Sequence, residues 1–171
     1  MYNKILTTIL VVFLATTVYA SSDKKEPKQI WWPFEGMFGT FDRQAAQRGA
    51  QVYLEVCSAC HGLQHLYYRN LQEIGFSEAE IKAIAKEKTV IDGPDDLGEM
   101  YERPALPSDI FVPPYKNEQA GRASNNGAYP VDLSLIVKAR EDGANYLFSI
   151  LTGYIEAPKD ITMMPGLYYN P

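Results

Sequence analysis

The sequence predicts a mainly α-helical domain carrying long loops rich in proline and glycine. Apolar residues recur at three- and four-residue spacing in several separate stretches, the period of an amphipathic helix. Pro104, Pro107, Pro113 and Pro114 exclude regular structure from residues 104 to 117 and predict a long surface loop there. No alternating apolar and polar run is long enough to argue for a sheet.

The elements follow in chain order. Lys4 precedes a mostly apolar run from Ile5 to Val18, and Val18-Tyr19-Ala20 supplies the small residues of a cleavage site, so residues 1–20 read as a secretory signal. A run of 14 residues falls short of the about 20 that cross a bilayer, which favours a cleaved signal over an uncleaved anchor. Cleavage before Ser21 leaves 151 residues, enough for one domain with a modest core. It also removes Lys4 and no acid, moving the formal net charge from −5 to −6 and arguing against nucleic acid as a partner. Nothing after Ala20 reads as a membrane span, so the mature chain is expected to have no anchor of its own.

Residues 21–30 are polar and charged without an apolar period and read as a flexible leader; the domain is expected over 31–171. Trp31, Trp32, Phe34, Phe38 and Phe41 then crowd around Pro33, Gly36 and Gly39, which predicts a loop whose aromatics pack over something apolar. Asp42 is a good N-cap, and Ala45, Ala46, Gly49, Val52, Tyr53, Val56 and Cys60 form the apolar face of a helix running straight into the cysteine motif. Ser77 with Glu80 is a capping box that opens a second, short helix through Ile81, Ile84 and Ala85.

Between Glu78 and Glu102 stand eight acidic residues against three lysines. That fits either a solvated helix face followed by a turn-rich loop around Gly93-Pro94, or an interaction patch. Two further helical faces are expected, one in Asp132 to Arg140 through Leu133, Ile136 and Val137, the other from Tyr146 to Leu151, with Gly153 at its C-terminal end.

The chemistry is concentrated in Cys57-Ser58-Ala59-Cys60-His61. Two thiols two residues apart can add across the two vinyl groups of one haem, and a histidine directly after the second cysteine then lies under the iron. A disulfide oxidoreductase would want a low-pKa thiol at a helix N-terminus within a βαβ pattern, and no such pattern surrounds this pair. A zinc site from Cys57, Cys60, His61 and His65 has suitable ligand types but crams them into nine residues. A local disulfide beside a surface histidine leaves the His unexplained. One covalent haem c with His61 as proximal ligand accounts for all three residues.

His65 lies too close along the chain to reach the opposite haem face and reads as a polar residue at the haem edge. A methionine sixth ligand would favour ferrous iron and raise the potential. By local reading Met163-Met164-Pro165 supplies the candidates, with Met37 and Met100 as packing residues.

Beyond this motif the chain resembles the cytochrome c1 family from about Trp31 to its last residue. The likeness rests on Arg48-Gly49 and Gln51-Val52-Tyr53 before the motif, Tyr68-Arg69-Asn70-Leu71 after it, and Asn125-Asn126-Gly127-Ala128-Tyr129-Pro130-Val131-Asp132-Leu133-Ser134. Leu151-Thr152-Gly153-Tyr154 and Gly166-Leu167-Tyr168-Tyr169-Asn170-Pro171 complete it. The resemblance implies a cytochrome c-like haem domain in a respiratory quinol:cytochrome c oxidoreductase, an electron carrier not catalytic alone. Its implied partners are a cytochrome b subunit, a Rieske iron–sulfur protein that delivers electrons and a soluble cytochrome c that accepts them. It implies attachment to the membrane through the complex, on the periplasmic face of the inner membrane. Asn125, Pro130, Arg140, Tyr146 and Leu151 correspond to haem-pocket positions, Arg140 being the one expected to face a propionate.

The resemblance also implies a departure. Family members continue past the Tyr-Asn-Pro equivalent into a proline-rich segment with the axial methionine and then a C-terminal membrane helix. Met163 and Met164 lie upstream of that methionine, so the resemblance withdraws them as ligands and leads us to expect a truncated chain with weak or absent sixth ligation. Under the same reading the acidic segment would steer a basic soluble cytochrome c or bind a further subunit.

Overall fold

A computed structural model describes residues 25–171; the expected signal at 1–20 and the first residues of the leader lie outside the described residues. The chain divides into two compact units, Lys28–Gly153 and one that includes Tyr154–Pro171. In the larger unit α1 spans Arg43–Glu55 and α2 spans Glu78–Lys86, followed by β1 (Thr89–Asp92) and β2 (Tyr101–Pro104), then α3 (Glu118–Ser124), α4 (Ile136–Ala139) and α5 (Gly143–Thr152). Two 3-10 segments, Cys57–Ala59 and Tyr68–Ile74, lie between α1 and α2. The architecture is mostly helical, as expected. In the smaller unit Ile155 pairs with Tyr169 in an isolated antiparallel bridge.

Helix α1 starts where Asp42 caps it, the carboxylate accepting from Gln44 N–H at 2.9 Å and Ala45 N–H at 3.1 Å. It leads up to the cysteine motif as expected but does not carry Cys60 on its apolar face. The helix closes at Val56 (φ −121°, ψ −62°) and the cysteines ride on a separate 3-10 turn. Ser58 Oγ donates to the Leu54 carbonyl at 2.7 Å, occupying the acceptor that a continuing helix would offer to the Ser58 backbone. Helix α2 opens with the full capping box, Ser77 Oγ accepting from Glu80 N–H and Glu80 accepting from Ser77 N–H.

The core gathers Tyr68, Leu71, Ile81, Ala85, Ala105 and Phe111, with Tyr53 and Leu54 of α1 packed against it. Phe111 stacks on Tyr68 at 4.4 Å between ring centroids and meets Tyr53 edge-on at 6.0 Å. The helix that precedes the cysteine turn is thus anchored to the core through Tyr53, near its C-terminal end.

The sequence reading missed three elements: Tyr68–Ile74, α3 and the two-stranded sheet. Strands β1 and β2 pair antiparallel from Thr89↔Pro104 to Asp92↔Tyr101. Arg103 ties this hairpin to the loop after it. Its guanidinium meets Asp92 on the opposite strand and grips Asp109 through Nη1 at 2.6 Å and Nη2 at 3.0 Å, while Asp109 also accepts from Leu106 N–H at 2.7 Å. Other differences concern packing. Met37 and Met100, expected as packing residues, are 91% and 61% exposed. Phe34 does stack on Trp32 and Phe41, and Trp32 meets Phe148 of α5 edge-on at 6.1 Å, but Trp31 and Phe38 face solvent rather than an apolar surface within the chain. In the stretch read as a leader, Lys28 N–H donates to Ser149 Oγ and Ile30 N–H to Asn145 Oδ1, both on α5.

Two outcomes follow for stability. Ile81, 3% exposed, loses roughly 2–4 kcal/mol when cut to Ala, read by urea unfolding. Arg103 holds the Asp109 carboxyl below its ordinary value. A depressed carboxyl stabilises the fold fully above its unfolded value of about 4 and loses that effect as pH falls through the folded value. Asp109→Asn therefore melts below the native protein at neutral pH, and thermal scans in acid show the gap closing below about pH 4.

Candidate haem site

The 3-10 turn gathers the motif into one compact loop: Cys60 N–H donates to the Cys57 carbonyl at 3.1 Å and His61 N–H to the same oxygen at 2.8 Å. Both cysteines are half-buried free thiols. His61 is held at both ends. Its own carbonyl accepts from Tyr53 Oη–H at 2.9 Å, and its ring Nδ1 lies 2.7 Å from the Val131 carbonyl oxygen. A carbonyl can only accept, so Nδ1 carries the proton and the lone pair sits on Nε2. That is the tautomer and orientation a metal-ligating histidine needs.

The contact to Val131 is one stitch of a longer seam between 61–65 and 131–134. Leu133 N–H donates to the Gly62 carbonyl at 2.9 Å, Gln64 N–H to Asp132 Oδ2 at 2.9 Å and His65 N–H to Ser134 Oγ at 3.1 Å. Asp132 Oδ1 in turn accepts from Ser134 N–H at 2.9 Å. The helix expected across Asp132 to Arg140 is consequently confined to Ile136–Ala139. Its first residues are spent on the seam instead.

Burial alone would raise the Asp132 carboxyl, but the bonds from Ser134 and Gln64 outweigh it and hold it below the ordinary carboxylate range. Burial, with the Asp132 charge adding to it, pushes the Tyr53 hydroxyl up to about 12, so it remains a donor to His61 at neutral pH.

The remaining expected residues fall into separate groups. Arg140 follows α4 with its guanidinium over the Tyr146 ring of α5, 5.5 Å from the centroid. Leu151, near the end of α5, is 72% exposed. Asn125 spends its amide on Tyr115 Oη at 2.9 Å and the Gly121 carbonyl at 2.7 Å, which fixes the turn after α3. Pro130 is half-buried and immediately precedes the carbonyl that orients His61. Tyr53, Val131, Asp132 and Ser134 were not singled out from sequence as site residues. Asp132-Leu133-Ser134 does carry an Asx-turn signal, which could have located the bend but not its partner.

The donor set suits a haem: two unpaired thiols with two residues between them and one imidazole with Nε2 available. Apolar side chains around the motif, among them Val52, Val56, Val131 and Leu135, are left largely exposed, surface of the kind a macrocycle covers. The zinc alternative finds no cage, since among the described residues no group of three or more His, Cys, Asp or Glu is gathered to hold a metal ion.

Residues 32–171 match the Cytochrome C1 family. Among curated proteins, a cytochrome c1 heme protein of Arabidopsis thaliana mitochondria is 46% identical over 162 residues, 92% of this chain and 53% of the relative. The mitochondrial cytochrome b-c1 complex catalytic subunit of Candida albicans is 48% identical over 158 residues, 92% of this chain and 55% of the relative. Cytochrome c1 of Rhodospirillum rubrum is 50% identical over 123 residues, 72% of this chain and 45% of the relative. The chain spans about half the length of the curated relatives it matches. With nearly all of the described chain inside the family match, this chain belongs to the cytochrome c1 family.

Proposed function

We propose that this chain is the haem-bearing electron carrier of a respiratory quinol:cytochrome c oxidoreductase. The observation that carries the reading is the His61 ring, whose Nδ1 lies 2.7 Å from the Val131 carbonyl oxygen, in a motif whose two cysteines are free thiols. Cys57 and Cys60 would hold one haem c covalently and His61 would be its proximal ligand. The group supplies a redox-active iron that takes up and releases one electron. The protein supplies attachment, ring orientation and a docking face.

In this reading electrons arrive from a Rieske iron–sulfur protein and leave to a soluble cytochrome c, with a cytochrome b subunit in the same assembly. The working location is the periplasmic face of the inner membrane, reached through the complex. Among the described residues no helix is long and apolar enough to cross a membrane. Relatives named as mitochondrial heme proteins and as a cytochrome b-c1 complex subunit support the assignment.

Asn125, Pro130, Arg140, Tyr146 and Leu151 are the proposed pocket residues. The pairing of Arg140 with Tyr146 supports these two members of the set, because a guanidinium braced on a ring keeps its donors free for a propionate. Exposed Leu151 offers apolar surface to the macrocycle. Asn125 acts through the turn it fixes. Arg140→Gln leaves haem attached and shifts its midpoint potential; an unchanged potential removes Arg140 from the pocket.

The acidic segment gives the assignment a kinetic test. Of its eight carboxylates, Glu78 is paired with Lys82 and Asp92 with Arg103, leaving the segment strongly negative. Long-range attraction to a basic acceptor weakens as salt shortens the Debye length from about 30 Å at 0.01 M to about 8 Å at 0.15 M. Stopped-flow transfer from the haem-loaded chain to a basic ferricytochrome c should slow about tenfold or more across that range. A rate indifferent to ionic strength would remove the acidic segment from docking.

A further inference from the structure

The seam from 131 to 134 contains a charged group that the electron-carrier reading does not use. Asp132 is half-buried and spends both carboxylate oxygens on backbone amides from two different segments, Oδ2 on Gln64 and Oδ1 on Ser134. Gly62 makes room for it: a Cβ added there would come within 2.9 Å of Asp132 Oδ2. The bonds on either side of the carboxylate are the Leu133 to Gly62 bond and the Val131 to His61 bond, made by the residues directly after and before Asp132.

We infer that Asp132 is a positioning residue for the proximal histidine, pinning 62–64 against 132–134 so that the Val131 carbonyl stays at hydrogen-bond distance from His61 Nδ1. Residues 61 and 131 are far apart in sequence and sit on segments with little regular structure of their own, so nothing local fixes their separation. A carboxylate suits the role better than an amide or a hydroxyl. It can accept from two N–H groups through two separate oxygens, whereas Asn offers a single acceptor and would turn an NH2 toward one of those donors. Loosening the seam weakens the Nδ1 bond and with it the basicity of Nε2 toward a metal.

The inference rests on the reading of His61 as proximal ligand. Failure of that reading shows separately, as absence of covalently held haem in the native chain before any variant is compared. The test is the hydrogen exchange of the His61 ring N–H, followed by NMR in the ferrous haem-loaded chain, for the native protein, Asp132→Asn and, as a milder cut in the same seam, Ser134→Ala. Potential alone would not serve, since removing a nearby charge moves it whatever the histidine does.

Asp132→Asn should keep its covalent haem while the ring proton exchanges about tenfold faster or more, the factor corresponding to one neutral hydrogen bond, and Ser134→Ala should raise exchange a few-fold. Exchange in Asp132→Asn within about twofold of native would overturn the assignment. Should Asp132→Asn fail to fold, Gly62→Ala displaces the carboxylate instead, its added Cβ coming within 2.9 Å of Asp132 Oδ2, and native-like exchange in that variant has the same force.

Discussion

The seam between 61–65 and 131–134 is the contact on which the site depends. Without it Cys57, Cys60 and His61 are three reactive side chains on a short turn, with no preferred tautomer and no fixed ring plane. The Val131 carbonyl assigns the proton to Nδ1, and the amides of Gln64, His65 and Leu133 bind the two segments to each other. Each bond is worth only about 1 kcal/mol net. Together they hold one geometry across a long sequence separation.

Tyr53 connects this seam to the core. Its ring packs on Phe111, which stacks on the nearly inaccessible Tyr68, while its hydroxyl donates to the His61 carbonyl. Burial that raises the hydroxyl's pKa also keeps the proton where the bond needs it. Core packing and site orientation therefore share one side chain. The acidic hairpin is organised independently, through Arg103 between Asp92 and Asp109, so its charge can serve docking without bearing on the histidine.

What the sequence made legible was local. The Asp42 cap and the Ser77 and Glu80 box each depend on residues within a few positions of one another, and each stands where the pattern placed it. The hairpin was hidden because its strands are four residues long and it is tied to the following loop by an ion network, with too little alternation to register. The seam was hidden because most of its partners are backbone atoms, which every sequence contains. Asp132-Leu133-Ser134 reads as the start of a helix, whereas the Asp132 and Ser134 side chains accept from the amides of Gln64 and His65 in the cysteine loop. The methionines at 37 and 100 misled for another reason: residue type sets a tendency to be buried, not a partner to be buried against.

The proposed covalent haem site of Cys57, Cys60 and His61 is open to a spectroscopic test. The direct measurement is the reduced-minus-oxidised visible spectrum of the chain expressed with a haem-attachment system, taken native and after denaturation, alongside the Cys57→Ala, Cys60→Ala double variant. A c-type haem signal that survives denaturation in the native chain and vanishes with both thiols is expected. A chain with intact cysteines that carries no haem, or releases it on denaturation, would contradict it.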